Sequence, residues 1–530
     1  MPISLDRDQT SPKAATYLLL FAPIILFIAS LYIPPSVSWD SGEGFRILQN
    51  MLGGGAFNTF MEPDPSNIAR DVLTFQTWWS PGQYLVPGSF VWLGSNYAVA
   101  LSVTALLATL IGVLGWIQVG RSFAVSSFVL LVFVFGLSTF SYITWSFLTY
   151  GGGELLLFAV APWSLYAMRW AASKPPMLCL AISFVSAALL FFAKLTGIIV
   201  FASNVAAISL FCVISQRRLT SEVIVMWAAS VIGVICFSMF WLARGWVPAS
   251  GSTFSFDWFP IWFSVSGAAF SGISGLDFLL GVLGGTPWWQ IPPRGRANEL
   301  IIYVFGPLGL ILMMWVWLRL RRTPYREMTI LLLGVILLYT IAVAALYLRG
   351  ALISFDERHF RYAGILFFLL VLTAVDQWRV PWAKGLVCVP IVVLGFYGLK
   401  QYITGAYAHM QRGYYDRITG ISQDISPTIL EYLRSEVQQH HFQHPVAVIP
   451  LPVVAMSLPK FRILVIAGQL LPLEKITALK FAGRAEKIFV VVPEKIRTTS
   501  KAEAMLRSFI DYEFDSWRQM NLDGMIIYTQ

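Results

Sequence analysis

Two acidic residues follow the first hydrophobic stretch of the chain and are suited to proton transfer. Asp40 and Glu43 lie in the segment SWDSGEGF, residues 38–45. A carboxylate at a membrane face can act as a general base if it lies within hydrogen-bond distance of an acceptor hydroxyl. The same spacing also resembles a capping box, with Asp at the N-cap of a helix and Glu three positions later. Catalysis and capping are both open at this point.

A second cluster, DERHFRY at residues 356–362, is suited to binding a phosphate. It contains Arg358, His359 and Arg361, and a guanidinium group can hold two phosphate oxygens at once. Such contacts also stabilise charge that develops on a phosphate leaving group. The alternative is a local ion pair with one of the two acids that open the cluster. We expect the phosphate contact, because with Arg349 nearby the cations outnumber these acids.

Further polar residues near the ends of apolar segments could complete such a site. Lys194 and Arg244 could bind the same anion, although a lysine between two spans can also snorkel to the interface. Glu154 follows three glycines and could cap a helix or line a cavity. The paired indoles Trp78 and Trp79 are typical of an interfacial aromatic belt, with stacking on a sugar ring as the alternative.

The sequence predicts no metal site and no certain cofactor, and any requirement for a divalent metal stays open. His440, His441 and His444 are close together, but no cysteine or carboxylate pair accompanies them, so we interpret them as solvent-facing. All four cysteines fall within apolar segments, which excludes a disulfide framework in the C-terminal tail.

Composition identifies a polytopic α-helical membrane protein, since 57% of the 530 residues are hydrophobic and only 12% are charged. The net charge of +9 is spread over many loops and indicates contact with a lipid bilayer; no nucleic acid partner is expected. About eleven transmembrane helices are predicted from segment length and hydropathy. These segments are 16–33, 97–119, 123–142, 153–170, 177–193, 196–215, 223–242, 300–318, 328–348, 362–377 and 384–400.

Lysine and arginine fall in alternate connections between these segments, which predicts a cytoplasmic N-terminus and an extracytoplasmic C-terminus. Large segments at 34–95 and 243–299 and the tail after residue 400 then face the outer compartment. We expect a short interfacial helix after residue 41, and the second large segment could form a mobile cover over a site. The predicted domains are a transmembrane domain, residues 1–400, and an extracytoplasmic α/β domain, residues 401–530.

In the tail, short apolar runs alternate with amphipathic segments, which predicts a small α/β domain. Strands are predicted at 445–449, 463–466, 487–492 and 525–528, and helices at 473–484 and 501–512.

Four features of the chain together resemble a known family of membrane enzymes. They are the acidic pair after the first span, the long outer loop, the late ERHFRY motif and the extracytoplasmic tail. The chain resembles the GT-C superfamily of integral membrane glycosyltransferases, and most of all the branch containing protein O-mannosyltransferases and lipid A aminoarabinose transferases. The likeness covers residues 1–400. It implies that Asp40 is the catalytic base, with Glu43 as a neighbour that could share this role. The adjacent Asp-Glu of the family is separated here by Ser41 and Gly42.

The resemblance also implies a reaction. A sugar would pass from a polyprenyl-phosphate donor to a hydroxyl of a glycan, lipid or protein, by an inverting displacement at the outer face of a bacterial inner membrane. The tail lacks the Trp-Trp-Asp motif of oligosaccharyltransferases, which disfavours transfer of a preassembled oligosaccharide to Asn. The alternatives are a flippase for lipid-linked sugars, whose usual inverted repeats are not evident, and a noncatalytic subunit that binds lipid-linked sugar.

Overall fold

A computed structural model describes residues 19–216, 221–245, 254–283, 296–351, 353–466, 472–494 and 500–530. Apolar helices form a bundle, and a small α/β domain follows it in the chain. The helices up to the end of the bundle are α1 (Phe21–Tyr32), α2 (Trp39–Leu52), α3 (Gly82–Trp92), α4 (Tyr97–Ser122), α5 (Ser127–Thr139), α6 (Gly153–Ala171), α7 (Pro176–Ala193), α8 (Gly197–Gln216), α9 (Ser221–Phe240), α10 (Trp258–Phe270), α11 (Gly275–Leu283), α12 (Arg296–Leu320), α13 (Arg326–Leu348), α14 (Arg361–Asp376) and α15 (Pro381–Arg412).

Within the described ranges, eight helices are long and apolar enough to cross a membrane, or nine if the bent pair Ser127–Thr139 and Ser141–Phe147 counts as one span. The protein is therefore an integral membrane protein with a mostly helical fold. Each predicted span coincides with a helix. However, α1 has only 12 residues and α6 is not among the eight candidates. The total of about eleven spans stays a prediction.

The last helix of the bundle extends beyond the boundary expected from the sequence. Helix α15 continues past residue 400 and ends at Arg412, where Gly413 adopts a left-handed conformation with φ 62°. Glycine has no Cβ and adopts this conformation without steric cost, which is the usual end of a helix. The tail domain therefore begins after a continuous helix of 32 residues.

The segment 34–95 is more structured than the sequence indicated. The predicted short helix is confirmed as α2, but it begins at Trp39, and its position at a membrane interface stays a prediction. An antiparallel hairpin of β2 (Thr59–Asp64) and β3 (Asn67–Phe75) and the helix α3 were not predicted. The short strand β1 (Ser36–Val37) pairs in parallel with β4 (Thr149–Tyr150), which fixes the start of α2 beside the start of α6.

In the segment 243–299, α10 and α11 lie within the region predicted as a mobile cover. Residues 246–253 and 284–295 of this region lie outside the described residues.

The tail domain has a five-stranded sheet in the order β6-β5-β7-β9-β8, in which β5, β6 and β7 are parallel. The strands are β5 (Val446–Ile449), β6 (Arg462–Val465), β7 (Ile488–Pro493), β8 (Arg518–Leu522) and β9 (Met525–Thr529), and the helices are α16 (Pro427–His440), α17 (Leu473–Thr477) and α18 (Ser500–Arg507). The four predicted strands are confirmed, whereas α16 and β8 were missed. The helix predicted over 473–484 is wrong beyond Thr477, because Phe481 pairs with Phe509 in a β-bridge.

The outer segment and the tail share one hydrophobic core. Phe45 and Ile47 of α2, together with Tyr84 of α3, are fully buried in the same cluster as Ile449 and Val454 of the tail. Removal of apolar surface from water is the dominant favourable term in folding, so α2 is held by the tail as well as by the membrane helices.

Candidate active site

Four segments that are far apart in the chain meet at one end of the bundle. Asp40 comes from the first turn of α2, Glu154 from the first turn of α6, Lys194 from the α7–α8 connection and Arg358 from the 3₁₀ turn Glu357–Phe360. The contact between Asp40 and Arg358 joins residues 318 positions apart. The carboxylate and the cationic cluster predicted from the sequence therefore lie on the same side of the bundle.

A tight turn positions the start of α2. Gly152, at φ 67°, lies directly before α6, and a Cβ atom here would stand 2.6 Å from Ser41 Oγ and 2.8 Å from Gln83 Oε1. Only glycine permits both this conformation and this approach. The glycine-rich stretch before Glu154 thus allows α2 and α6 to begin side by side.

Asp40 does not cap α2. The N-cap is Ser38, whose Oγ accepts a hydrogen bond from the Ser41 amide at 3.5 Å. Asp40 lies one residue inside the helix, where a negative charge is favourable near the positive end of the helix dipole. Its side chain is 40% exposed and contacts Arg358 Nη2 through Oδ2 at 3.4 Å. The capping interpretation of Asp40 is wrong, because the helix begins earlier than the sequence indicated.

Arg358 contacts three carboxylates at once. Its Nε lies 3.0 Å from Asp356 Oδ2 and 3.6 Å from Glu154 Oε1, and its Nη2 reaches Asp40. The sequence offered a local ion pair with Asp356 as the alternative to a phosphate contact. This pair is present, together with two contacts from distant segments. Arg358 is thus not the surplus cation expected from the sequence, because other elements supply acids that its own segment lacks.

Lys194 forms an ion pair with a buried partner. Its Nζ donates to Glu154 Oε1 at 2.7 Å, and the two side chains are only 15% and 18% exposed. Snorkelling to the interface does not describe this lysine. Since an isolated buried charge is costly, Lys194 and Glu154 each make the other's burial possible.

A narrow cavity lies directly behind this cluster. Its water-accessible volume is about 20 Å³, and its walls combine charged and aromatic side chains: Glu154, Lys194, Arg358, His359, Arg361, Trp116, Phe158, Tyr339 and Tyr362. This space is close to that of one water molecule. The guanidinium of Arg361 lies over the Tyr142 ring, 4.5 Å from its centroid, which fixes the arginine at the cavity wall.

Three nitrogen atoms of the DERHFRY cluster at this cavity are buried without a hydrogen-bond partner in the described part of the chain. They are Arg358 Nε, Arg361 Nε and His359 Nδ1, of which Arg358 Nε still forms an ion pair with Asp356. The other ring nitrogen of His359, Nε2, lies 3.5 Å from Ser354 Oγ. Buried polar groups are almost always hydrogen-bonded in native proteins, so a water molecule or a single oxygen of an anionic ligand would complete the bonding of Arg361 Nε in a space of this size.

Burial raises the pKa of the Asp40 carboxyl above its ordinary value of 3.8, and the nearby charge of Glu154 acts in the same direction. The positive charges of Arg358 and Lys194 oppose this rise in pKa. A raised pKa makes a carboxylate a stronger base. Asp40 therefore combines exposure to an incoming group with increased affinity for a proton.

The remaining predicted site residues lie elsewhere. Glu43 accepts a hydrogen bond from Arg46 Nη1 at 2.7 Å on the same helix, facing the tail domain. Trp78 and Trp79 are half-buried between β3 and α3 and do not line the described cavity, and Arg244 is exposed beyond the end of α9. The structure brings none of these four side chains to the Asp40–Arg358 contact.

The sequence did not single out the aromatic wall of the cavity. Tyr339 donates a hydrogen bond to the backbone carbonyl of His359 at 2.6 Å, and Tyr362 donates to Asn204 Oδ1 at 2.7 Å. These residues lie in apolar spans that contain many aromatic side chains. No spacing distinguished them, because their role depends on how the helices pack.

No protein-family model matches the chain, and no curated protein is similar to it in sequence. Solved structures do match in fold. ArnT from Cupriavidus metallidurans aligns in the apo state with a TM-score of 0.53 and 13% identity over 97% of this chain and 98% of that one. ArnT bound to undecaprenyl phosphate aligns with a TM-score of 0.52, 12% identity and the same coverage. The mycobacterial arabinofuranosyltransferase AftD gives a TM-score of 0.47 over 97% of this chain and 41% of AftD.

The ArnT alignments include both the bundle and the tail, so the likeness extends beyond residues 1–400. Low identity with nearly complete coverage means that the backbone architecture is shared although the side chains have diverged. The resemblance to the GT-C superfamily expected from the sequence is thus supported at the level of the fold, which this chain shares with ArnT.

Proposed function

We propose that the protein transfers a sugar from a polyprenyl-phosphate donor to a hydroxyl acceptor. One observation carries this proposal: a half-exposed carboxylate, Asp40, lies against Arg358 at the edge of a cavity that contains an unpaired guanidinium nitrogen of Arg361. A base for the acceptor and a cation for the leaving group are the two components that such a transfer needs. The GT-C fold supports the assignment, and ArnT, which shares the fold, has been crystallised with undecaprenyl phosphate.

In this mechanism Asp40 takes the proton of the acceptor hydroxyl. The hydroxyl oxygen forms a bond to the anomeric carbon of the sugar, and the bond from that carbon to the phosphate oxygen breaks. The electron pair of the broken bond leaves on the polyprenyl phosphate. A single displacement of this kind inverts the anomeric centre. No separate acid is required, because the phosphate is a good leaving group when its charge is held.

The phosphate would be held mainly by Arg361, with His359 and Lys194 beside it. Arg361 has an unpaired Nε at the cavity, whereas Arg358 already contacts three carboxylates. A phosphate that reached Arg358 would have to replace one of them, and the contact with Asp40 is longer than the contact with Asp356. Donor binding at Arg358 would then release Asp40 and increase its basicity, since Arg358 lowers its pKa.

We also propose that the site and the tail face the extracytoplasmic side of a bacterial inner membrane, with the N-terminus in the cytoplasm. The alternation of basic loops supports this orientation. Residues 1–400 and 401–530 are proposed as the transmembrane and outer domains, joined by the continuation of α15 to Arg412.

The proposal can be tested with purified protein, a polyprenyl-phosphate sugar and an extract of envelope acceptors. We expect release of polyprenyl phosphate that depends on the acceptor, and loss of this release in Asp40→Asn. A matched control is Asp64→Asn, which changes an exposed aspartate of the hairpin. Movement of intact donor between leaflets without release would identify a flippase, and normal release by Asp40→Asn would exclude Asp40 as the base.

A further inference from the structure

A buried arginine connects the helix that carries Asp40 to the tail domain. Arg46 of α2 is only 7% exposed. Its Nη1 donates to Glu43 Oε2 on the same helix at 2.7 Å. Its Nη2 donates to the backbone carbonyl of Ile463 in β6 of the tail at 3.1 Å. A single guanidinium group therefore joins α2 to the central sheet of the tail.

The same guanidinium also contacts the outer hairpin. It lies 5.2 Å from the centroid of the Phe60 ring, and its Nη2 is 4.0 Å from Glu62 Oε2. Burying a cation is favourable only when several partners compensate for the lost water. Arg46 is thus stable only while α2, the hairpin and the tail stand in their present arrangement.

Close packing beside Asp40 supports this connection. A Cβ atom on Gly42 would lie 2.9 Å from the Val453 amide nitrogen, which belongs to a 3₁₀ turn of the tail, Pro452–Ser457. Further along α2, Gln49 Nε2 donates to the Met456 carbonyl of the same turn at 2.9 Å. One face of α2 therefore contacts the tail along most of its length, starting next to Asp40.

We infer that Arg46 and Glu43 are positioning residues, which couple the docked tail domain to α2 and so set the place of Asp40 at the reaction centre. This inference rests on the proposed function. It assigns Glu43 to the charge pair that orients Arg46 and not to proton transfer. It also gives the tail domain a direct part in the reaction, since its β6 backbone holds the other side of Arg46.

The physical basis is the stiffness of the helix. Each residue of an α-helix is tied to its neighbours by hydrogen bonds with a rise of about 1.5 Å, so a shift at Arg46 is carried to Asp40 along the axis. A misplacement of about 1 Å in a reacting group can reduce the rate by about 10²-fold. In the described part of the chain the Asp40 side chain has one ion-pair partner, Arg358, and this partly exposed pair is too weak to correct such a shift.

The experiment measures kcat, KM for the donor and thermal stability for Arg46→Met, Arg46→Lys and Glu43→Gln. We expect Arg46→Met to lower kcat by about 10²-fold with KM nearly unchanged. Arg46→Lys should recover part of this loss because it keeps the charge. Glu43→Gln should lose less than Arg46→Met, because its amide oxygen still accepts the hydrogen bond. The control is Arg507→Met, which breaks the exposed pair with Glu503 on the tail surface and should leave kcat unaltered.

The same Arg46 change made in the Asp40→Asn protein separates a positioning role of Arg46 from a general structural role. In the Asp40→Asn protein, Arg46→Met should cost little further rate, because the arginine acts through a base that is already absent. Equal fractional losses with and without Asp40 would overturn the inference. So would a loss in Glu43→Gln as large as that in Asp40→Asn, because Glu43 would then be a base.

Failure of the proposed function would give a different result. If the wild-type protein releases no polyprenyl phosphate, its affinity for polyprenyl phosphate can be measured as a function of pH. This affinity depends on the charge of Asp40, because Asp40 contacts Arg358. Arg46→Met should then shift the pH midpoint of the change in affinity. An unchanged midpoint in a folded Arg46→Met protein would contradict the positioning role whatever the reaction is.

Discussion

The two ends of the helix bundle use charge in different ways. At the far end, Lys384 pairs with Asp376 at 2.9 Å, a partner only eight positions away, and Arg319 donates to the Gln377 carbonyl at 2.9 Å. At the site end, Arg358 contacts three carboxylates, two of them from distant segments. The far-end charges are typical of loops that orient a membrane protein. The site-end charges were assembled by the fold, which is the pattern expected for a functional site.

The largest expected effect compares an aspartate from each end. Asp40→Asn should lower the transfer rate by about 10²–10⁴-fold, because an amide cannot accept the hydroxyl proton. Asp376→Asn at the far end should leave the rate unchanged. Acceptor-dependent release of polyprenyl phosphate measures both variants. A similar loss of rate in both variants would show that the charges at the site end are no more important for catalysis than those at the far end.

The next effect concerns stability. Lys194→Met leaves the buried Glu154 with only its longer contact to Arg358 and should cost up to about 3–5 kcal/mol of unfolding free energy. Lys384→Met removes a pair whose lysine is more exposed and should cost less, about 1 kcal/mol. Denaturation in detergent, followed by intrinsic fluorescence, measures both losses. The double change Lys194→Met and Glu154→Gln should recover most of the loss, and failure to do so would mean that the pair is not the source.

A smaller effect is expected on donor affinity. Arg361→Lys should weaken polyprenyl-phosphate binding by about tenfold, the loss of roughly one charge-assisted hydrogen bond, because lysine lacks the planar fork. Arg358→Lys should weaken it less, because Arg358 already contacts three carboxylates. Arg319→Lys at the far end should not change the affinity. Equal weakening by Asp356→Asn would indicate that the cluster is structural. An effect of Arg361→Lys without one of Arg358→Lys would identify Arg361 as the main phosphate contact.

The smallest effect is a shift of the pH profile. Because the pKa of Asp40 is raised above 3.8, kcat/KM should increase with pH through this raised pKa, as the base becomes deprotonated. The stability that a raised carboxyl pKa contributes is present at lower pH and is lost over the same interval. Glu154→Gln should move the rise in kcat/KM to lower pH, because Glu154 raises the pKa of Asp40. Glu327→Gln at the far end serves as the control and should leave the profile in place.

The sequence predicted individual elements better than the contacts between them. The polytopic helical membrane class, the four tail strands and α2 followed from composition and local periodicity, which depend on neighbouring residues. The likeness to GT-C enzymes came from a resemblance of motifs and architecture. The meeting of Asp40 with Arg358 followed only in outline, from the alternation of basic loops. The pairing of Lys194 with Glu154 could not be predicted, because it depends on the packing of α6 against α7 and α8.

The sequence did not show what surrounds Glu43 and Asp40. Glu43 pairs with Arg46 three residues away, but the contact from Arg46 to Ile463 spans 417 positions of the chain. Ser38 provides the helix cap that was one of the two interpretations of Asp40, a shift of two residues in the start of the helix. Helix boundaries are the least certain part of a sequence-based prediction, and here they decide whether an acid caps or catalyses.

The small size of the cavity has a consequence for the unproductive hydrolysis of the sugar donor. Water competes with every acceptor hydroxyl for an activated sugar, and hydrolysis would consume the donor without making product. Space for about one water molecule behind the cluster, within walls of Trp116, Phe158 and Tyr362, limits the competing nucleophile on this side to about one molecule. Exclusion of water also prevents side reactions in enzymes that close around their substrates. For an enzyme of the proposed activity, this narrow space favours the transfer of each lipid-borne sugar to its acceptor over its loss to solvent.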